Sequence, residues 1–146
     1  MSNKTAKHPI PAAIAIVIRD GHVLLVRRAN PPNQNRWGFP GGKIEIAEPI
    51  KVAAIRELKE ETGVIAEALH IVDAIDVFVS DKNKQVTQHY VLIAVLCRWL
   101  QGEPLAASDA AAADWFRIED LKDSDPDLII NVARIARAAL QPPTES

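Results

Sequence analysis

The chain has 146 residues, 48% of them hydrophobic, and its seventeen basic and nineteen acidic side chains leave a formal charge of −2. That length suits one globular domain with its own apolar core, and the balanced charge excludes the broad basic field of a non-specific nucleic-acid binder. A single cysteine excludes an internal disulfide framework, and the longest apolar run, YVLIAVLC at 90–97, is too short to span a bilayer. With no early run of basic, apolar and small residues that would read as a signal peptide, the expectation is a cytoplasmic protein with neither a nucleic-acid nor a membrane partner.

In chain order, AAIAIVIR (12–19) and HVLLVRR (22–28) are β-branched and leucine-rich runs joined by Asp20-Gly21, a pair favoured in tight turns, so they predict a hairpin. ANPPNQNR (29–36) reads as a loop and WGFPGG (37–42) as a short extended piece. A helix is expected from about Pro49, with proline in its first turn, to Thr62, with Gly63 as its C-terminal cap. Strands follow near 66–79 and 88–99, then a loop, QGEPLAASDAAAA, a short strand around DWFRI, and a last helix near 126–140. One domain spans 1–146, with frayed ends at Met1–Pro9 and Gln141–Ser146.

The predicted helix poses a problem in electrostatics. Ile50, Ala54 and Leu58 form its apolar stripe, and Glu57, Glu60 and Glu61 crowd the edge beside it at i, i+3 and i+4. Carboxylates so placed repel, and partial burial makes the repulsion costly unless positive charge lies among them. Arg56 can pair with Glu60, but one guanidinium cannot neutralise three carboxylates. A divalent cation could, and oxygen ligands without Cys or paired His favour Mg²⁺ or Mn²⁺ over zinc. Taken alone, such a cluster is more often solvated helix surface than a site.

Its surroundings add to the reading: Gly42, five residues, Glu48, seven residues, then Arg56, Glu57, Leu58, Lys59, Glu60, Glu61, Thr62, Gly63 and Val64. Every fixed position of the Nudix box is filled, a coincidence of order 10⁻⁸ to 10⁻⁹ at any given start if each of the seven required residues occurs at about 5–7%. The chain therefore resembles the Nudix hydrolases. LLVRRANPP, RWGFPGGKIE and HYVLIAVLCRWLQGEP extend the likeness to the short, ADP-ribose pyrophosphatase-like branch, although Ala47 stands where glycine is common.

The resemblance implies an α/β/α sandwich with a mixed, partly parallel sheet. It also implies metal-dependent cleavage of a nucleoside diphosphate linked to another moiety, ADP-ribose being the preferred substrate and AMP and ribose 5-phosphate the products. On this sequence Glu57, Glu60 and Glu61 would be the acidic metal set, joined by the Gly41 carbonyl. Glu48 would support them, Arg56 would orient them, Gly42 would admit the close approach, and Glu57 would act on the attacking water. Asp109, the only acid between Glu103 and Asp114, would complete the ligands or else simply form a turn with Ser108. Either Arg27 or Arg28, but not both, would grip a phosphate. Trp37 and Phe39 could flank a base or fill the core, and His89, Cys97, Trp99 and Trp115 read as structural. The implied partner is a nucleotide-containing small molecule, and a homodimer stays open. The runner-up is a nucleoside triphosphate pyrophosphohydrolase releasing pyrophosphate, and a non-catalytic nucleotide sensor is the alternative from another class.

Overall fold

In the computed structural model, which describes residues 8–142, the first two strands are β1 (Ile10–Arg19) and β2 (His22–Arg28). Asp20 and Gly21 both take positive φ, 50° and 75°, the backbone a two-residue hairpin turn demands. The strands pair only next to that turn, at Ile18 with Val23 and Arg19 with His22, and then part. Segment 37–43 fills the opening between them. Its first half, β3 (Trp37–Gly38), pairs with β2, and its second, β4 (Gly41–Lys43), pairs with β1 at Ala12–Ile14.

On its other side β1 runs parallel to β6 (Val86–Gln101), from Ile10 beside Tyr90 to Ile18 beside Arg98. β5 (Ile65–Ser80) lies antiparallel outside β6, and β7 (Ala110–Arg117) lies antiparallel on β2. The result is a mixed seven-stranded sheet in the order β3-β2-β1-β6-β5, with β4 and β7 attached to β1 and β2.

The two-residue period of the strands sends side chains to opposite faces. Ala13, Ala15, Val17 and Leu24 pack against α1 (Ile50–Thr62) through Ala53, Ala54 and Leu58. Ile14, Ile16, Val23 and Leu25 pack against α2 (Val132–Ala139) through Val132, Ile135 and Ala136. The expected α/β/α layering is therefore present, and each fully buried leucine or isoleucine contributes about 1.5–3 kcal/mol.

Three boundaries differ from expectation. The last helix begins at Val132 rather than near 126, because the backbone before it is committed elsewhere. Asp127 O accepts from Trp37 N at 2.8 Å, Ile129 N donates to Trp37 O at 2.9 Å, and Asn131 sits at φ 74°. The strand expected around DWFRI starts earlier, at Ala110, immediately after Asp109. Pro49 is the extended residue before the helix, at φ −62° and ψ 147°, rather than part of its first turn. The expected frayed ends fall outside the described residues, apart from His8, Pro9, Gln141 and Pro142.

β5 forms one margin of the sheet. Its register with β6 is irregular at four places, Lys51 Nζ donates to the Leu69 carbonyl at 2.9 Å, and Arg134 from α2 pairs with Asp73 at 3.0 Å. Among the described residues no helix is long and apolar enough to cross a membrane.

Candidate active site

The site forms where β4 meets the charged edge of α1. Gly42 has no side chain because none would fit: a Cβ there would lie 2.6 Å from Cδ and Oε1 of Glu57. Next to it, Gly41 N donates to Oε2 of Glu61 at 2.8 Å. The helix carboxylates thus lean directly on strand backbone, and α1 is anchored at its far end by Gly63, whose left-handed φ of 75° lets its amide reach Lys59 O. Leu58 and Thr62 are wholly buried on the adjoining face, and Thr62 Oγ1 donates to Leu58 O at 2.7 Å.

Arg56 is the hub of the cluster. Its Nε and Nη2 hold Glu48 in a fork at 2.6 and 2.9 Å, and its Nη1 donates to Glu57 at 2.9 Å and to Glu60 at 3.3 Å. Nη2 also reaches the Lys43 carbonyl at 3.2 Å, which ties the hub to β4. Glu48 accepts the Glu45 amide as well. The Arg56 fork, helped by that amide, pulls the Glu48 carboxyl down to about 2. Its reciprocal effect raises the Arg56 guanidinium above its ordinary value.

Glu57 and Glu61 respond in the opposite sense. Burial raises Glu57 even though Arg56 opposes the shift. Glu61, only 9% exposed, is pushed up to about 8 by burial, with Glu57 and Asp109 adding to the effect and the Gly41 amide and Arg28 resisting it. Arg56 therefore faces Glu48, Glu57 and Glu60, while the innermost carboxyl, Glu61, is held up by its burial.

Asp109 and Arg28 are both near enough to Glu61 to act on its charge. Asp109 arrives on the loop after β6, whose amides at Leu105 and Ala107 donate to the Thr62 and Glu61 carbonyls at 2.9 Å each. Ser108 has a φ of 57° and the Asp109 carbonyl accepts Ala29 N, so a turn is present at this position too. The two arginines diverge because strand neighbours alternate. Arg28 donates through Nε to Pro32 O at 2.9 Å and shares the α1 face with Glu61. Arg27 pairs with Trp37 across β2 and β3 on the α2 face, and its buried Nε has no hydrogen-bond partner. That split was readable from the two-residue period.

Other candidates take structural positions. Trp37 meets Phe116 edge-on at 4.8 Å, and both Trp37 and Phe39 pack on the α2-side core. His89 is satisfied by Asp76 at 2.8 Å and stacks on Phe78, and Cys97 is buried, its thiol pushed up to about 12. What the sequence reading missed is a cluster of Arg19, Trp99, Glu103 and Trp115, brought together from three strands and a loop. Its only advance sign was two tryptophans bordering charged residues.

Among the described residues no three Asp, Glu, His or Cys side chains stand close enough to form a ready-made metal cage. The donor set nevertheless suits a small hard cation: it is all oxygen, backed by glycines and partly desolvated, with burial pushing the Glu61 carboxyl up.

The chain belongs to the Nudix family, whose NUDIX domain model matches residues 8–136. It is 31% identical over 114 residues to an ADP-ribose pyrophosphatase of Methanocaldococcus jannaschii, covering 78% of this chain and 65% of that one, just under two thirds of that relative's length. It is 27% identical over 115 residues to the 8-oxo-dGTP diphosphatase of Escherichia coli, covering 77% of this chain and 84% of that one. The crystal structure of a MutT NUDIX hydrolase from Burkholderia pseudomallei superposes with a TM-score of 0.77 at 31% identity, covering 92% of this chain and all of the other.

Proposed function

We propose that this chain is a cytoplasmic pyrophosphohydrolase that uses Mg²⁺ or Mn²⁺ to split a nucleoside diphosphate linked to another moiety, with ADP-ribose preferred. The observation that carries the reading is one helix edge of carboxylates: Glu48, Glu57 and Glu60 gathered by Arg56, and Glu61 resting on the Gly41 amide beside Gly42, pushed up to about 8 by burial. Glu57, Glu60 and Glu61 would hold the cation, with the Gly41 carbonyl and Asp109 as further ligands. Bound there, it would supply positive charge to the diphosphate oxygens and acidify water.

The remaining roles fall to the chain's own groups. Glu57, raised by burial and resting on Gly42, accepts the proton of the attacking water. Arg56 holds Glu48, Glu57 and Glu60 in place, and Glu48 anchors Arg56 in turn. Of the two strand arginines, Arg27 lies on the α2 face with its Nε buried, whereas Arg28, held through Nε by Pro32 O, stands beside Glu61. Arg28 is the one on the face of the carboxylates, with the rest of its guanidinium free, among the described residues, to fork onto an anion, so it is assigned to the substrate's phosphate.

The second reading, a triphosphate pyrophosphohydrolase, draws on the likeness to the 8-oxo-dGTP diphosphatase. A substrate panel with Mg²⁺ or Mn²⁺ and chromatographic product analysis separates them. AMP and ribose 5-phosphate from ADP-ribose support the first reading; a monophosphate and pyrophosphate from a triphosphate support the second. Nucleotide binding without product would instead favour the sensor, against which the complete box argues. Sedimentation of the active species decides whether the chain acts as a homodimer.

A further inference from the structure

The loop that delivers Asp109 is fastened at its start by groups far from the carboxylates in sequence. Arg19, the last residue of β1, pairs through Nη1 with Glu103 Oε1 at 2.6 Å, and Trp115 Nε1 from β7 donates to the other oxygen at 3.3 Å. The Arg19 guanidinium lies 3.8 Å above the Trp99 ring and 5.6 Å from that of Trp115, and Trp99 Nε1 donates to the Gly102 carbonyl at 2.8 Å. Gly102 takes a φ of 99°, and a Cβ there would lie 3.4 Å from the Gly63 carbonyl.

From this fastening the chain runs across the end of α1. Leu105 and Ala107 satisfy the Thr62 and Glu61 carbonyls, two of the acceptors a helix end leaves unpaired. Asp109 follows two residues later, with its own carbonyl fixed by Ala29 N. The fastening is more elaborate than loop closure needs. It joins β1 and β7 to one carboxylate, with Trp99 of β6 bracing Arg19 and Gly102, and the loop so held touches the backbone of one acidic residue of the site and carries another.

We propose that Glu103 is a positioning residue: latched to Arg19 and Trp115, it holds loop 102–109 against the end of α1 and so sets Asp109 relative to Glu61 and the affinity of the site for a divalent cation. The inference rests on the metal reading above and adds a residue that touches neither cation nor substrate. Without the latch, loop 102–109 is held by its backbone bonds at Leu105, Ala107 and Asp109 alone, so Asp109 is set less firmly while Glu57, Glu60 and Arg56 stay in place on α1.

The test is a Mn²⁺ titration of the purified chain, with the free ion followed by its paramagnetic resonance signal. Glu103→Ala is expected to weaken Mn²⁺ binding about tenfold, the usual size of an outer-shell loss, and to leave KM at saturating Mn²⁺ unchanged. Glu103→Gln, which keeps an acceptor, recovers part of the loss. Arg19→Met, which breaks the latch from the other side, gives the same weakening and serves if Glu103→Ala does not fold. Because the latch acts through Asp109, Glu103→Ala combined with Asp109→Asn weakens binding by less than the product of the two single effects. A wild-type chain that binds no Mn²⁺ overturns the metal reading and the latch with it. Wild-type binding with undiminished affinity in both latch variants, or fully multiplicative effects in the double variant, overturns the latch alone.

Discussion

Glu61→Gln isolates the electrostatic cost built into the site. The unfolded carboxyl titrates at 4.5 and the folded one at about 8, so its burial counts against folding only where the unfolded chain is ionised. The sign follows directly. Between these two values the folded chain holds the proton and the unfolded chain has lost it, so stability falls as pH rises through that window. The penalty is nearly absent below pH 4.5 and complete above about 8. At about 1.4 kcal/mol per pH unit, it amounts to about 1 kcal/mol at pH 5 and about 3 kcal/mol at pH 7. Glutamine removes it while retaining an oxygen to accept the Gly41 amide. In metal-free buffer the variant should therefore be more stable than wild type by about 3 kcal/mol at pH 7, or about 6–12 °C in Tm, with only about a third of that gain at pH 5. Urea unfolding at both pH values in EDTA measures it. A gain independent of pH, or a loss at pH 7, would refute the reasoning. Saturating Mg²⁺ should shrink the difference, because it stabilises only the chain with the full carboxylate set.

The remaining expectations concern single positions. Glu60→Gln should cut turnover by about two orders of magnitude or more without unfolding the chain, as steady-state kinetics beside circular dichroism would show; near-normal turnover would remove Glu60 from the metal set. Arg28→Lys, which loses the planar fork, should raise KM by about tenfold with little change in kcat, and an unchanged KM would leave Arg28 tied only to Pro32. Asp109→Asn should raise the metal concentration needed for half-maximal rate, whereas its neighbour Asp114→Asn should not; equal small effects would make Asp109 a turn residue. Ala47 holds a φ of 64°, so Ala47→Gly should raise stability by up to about 1 kcal/mol as relief of strain outweighs the added entropy of the unfolded chain, and a lower denaturation midpoint would count against that balance.

The parts of the fold that proved legible are those in which side chains carry the signal. Asp20-Gly21 marked the hairpin and the apolar spacing with Gly63 marked α1, while the choice between Arg27 and Arg28 stayed open until the faces of β2 were known. The start of α2 was hidden because LIIN continues a helical apolar pattern while its neighbouring amides and carbonyls are bound to Trp37. Loop 102–109 was opaque for a related reason. Its contacts with α1 are made by the backbone at Leu105 and Ala107, which any residue but proline can donate, so no choice of side chain announces them. In the site, Glu57, Glu60 and Glu61 were picked out by their helical spacing, and Glu48 and Gly42 by the likeness to the Nudix box. The fork between Arg56 and Glu48 and the upward shift of the Glu61 carboxyl depend on three-dimensional placement and burial, which spacing does not encode.

The margin of the sheet at β5 has a consequence for how this chain behaves in a crowded solution. A sixteen-residue strand with one side unpaired is a template on which another chain could extend the ladder, the first step toward fibrils. Four breaks in register bend that template out of a straight repeat, and Lys51 already occupies one of its carbonyls. An incoming strand would find only short usable stretches and would have to displace an ammonium group to lengthen them. The same irregularities disfavour self-association by simple strand addition, so a dimer of this chain is expected to meet through side chains rather than by continuing the sheet.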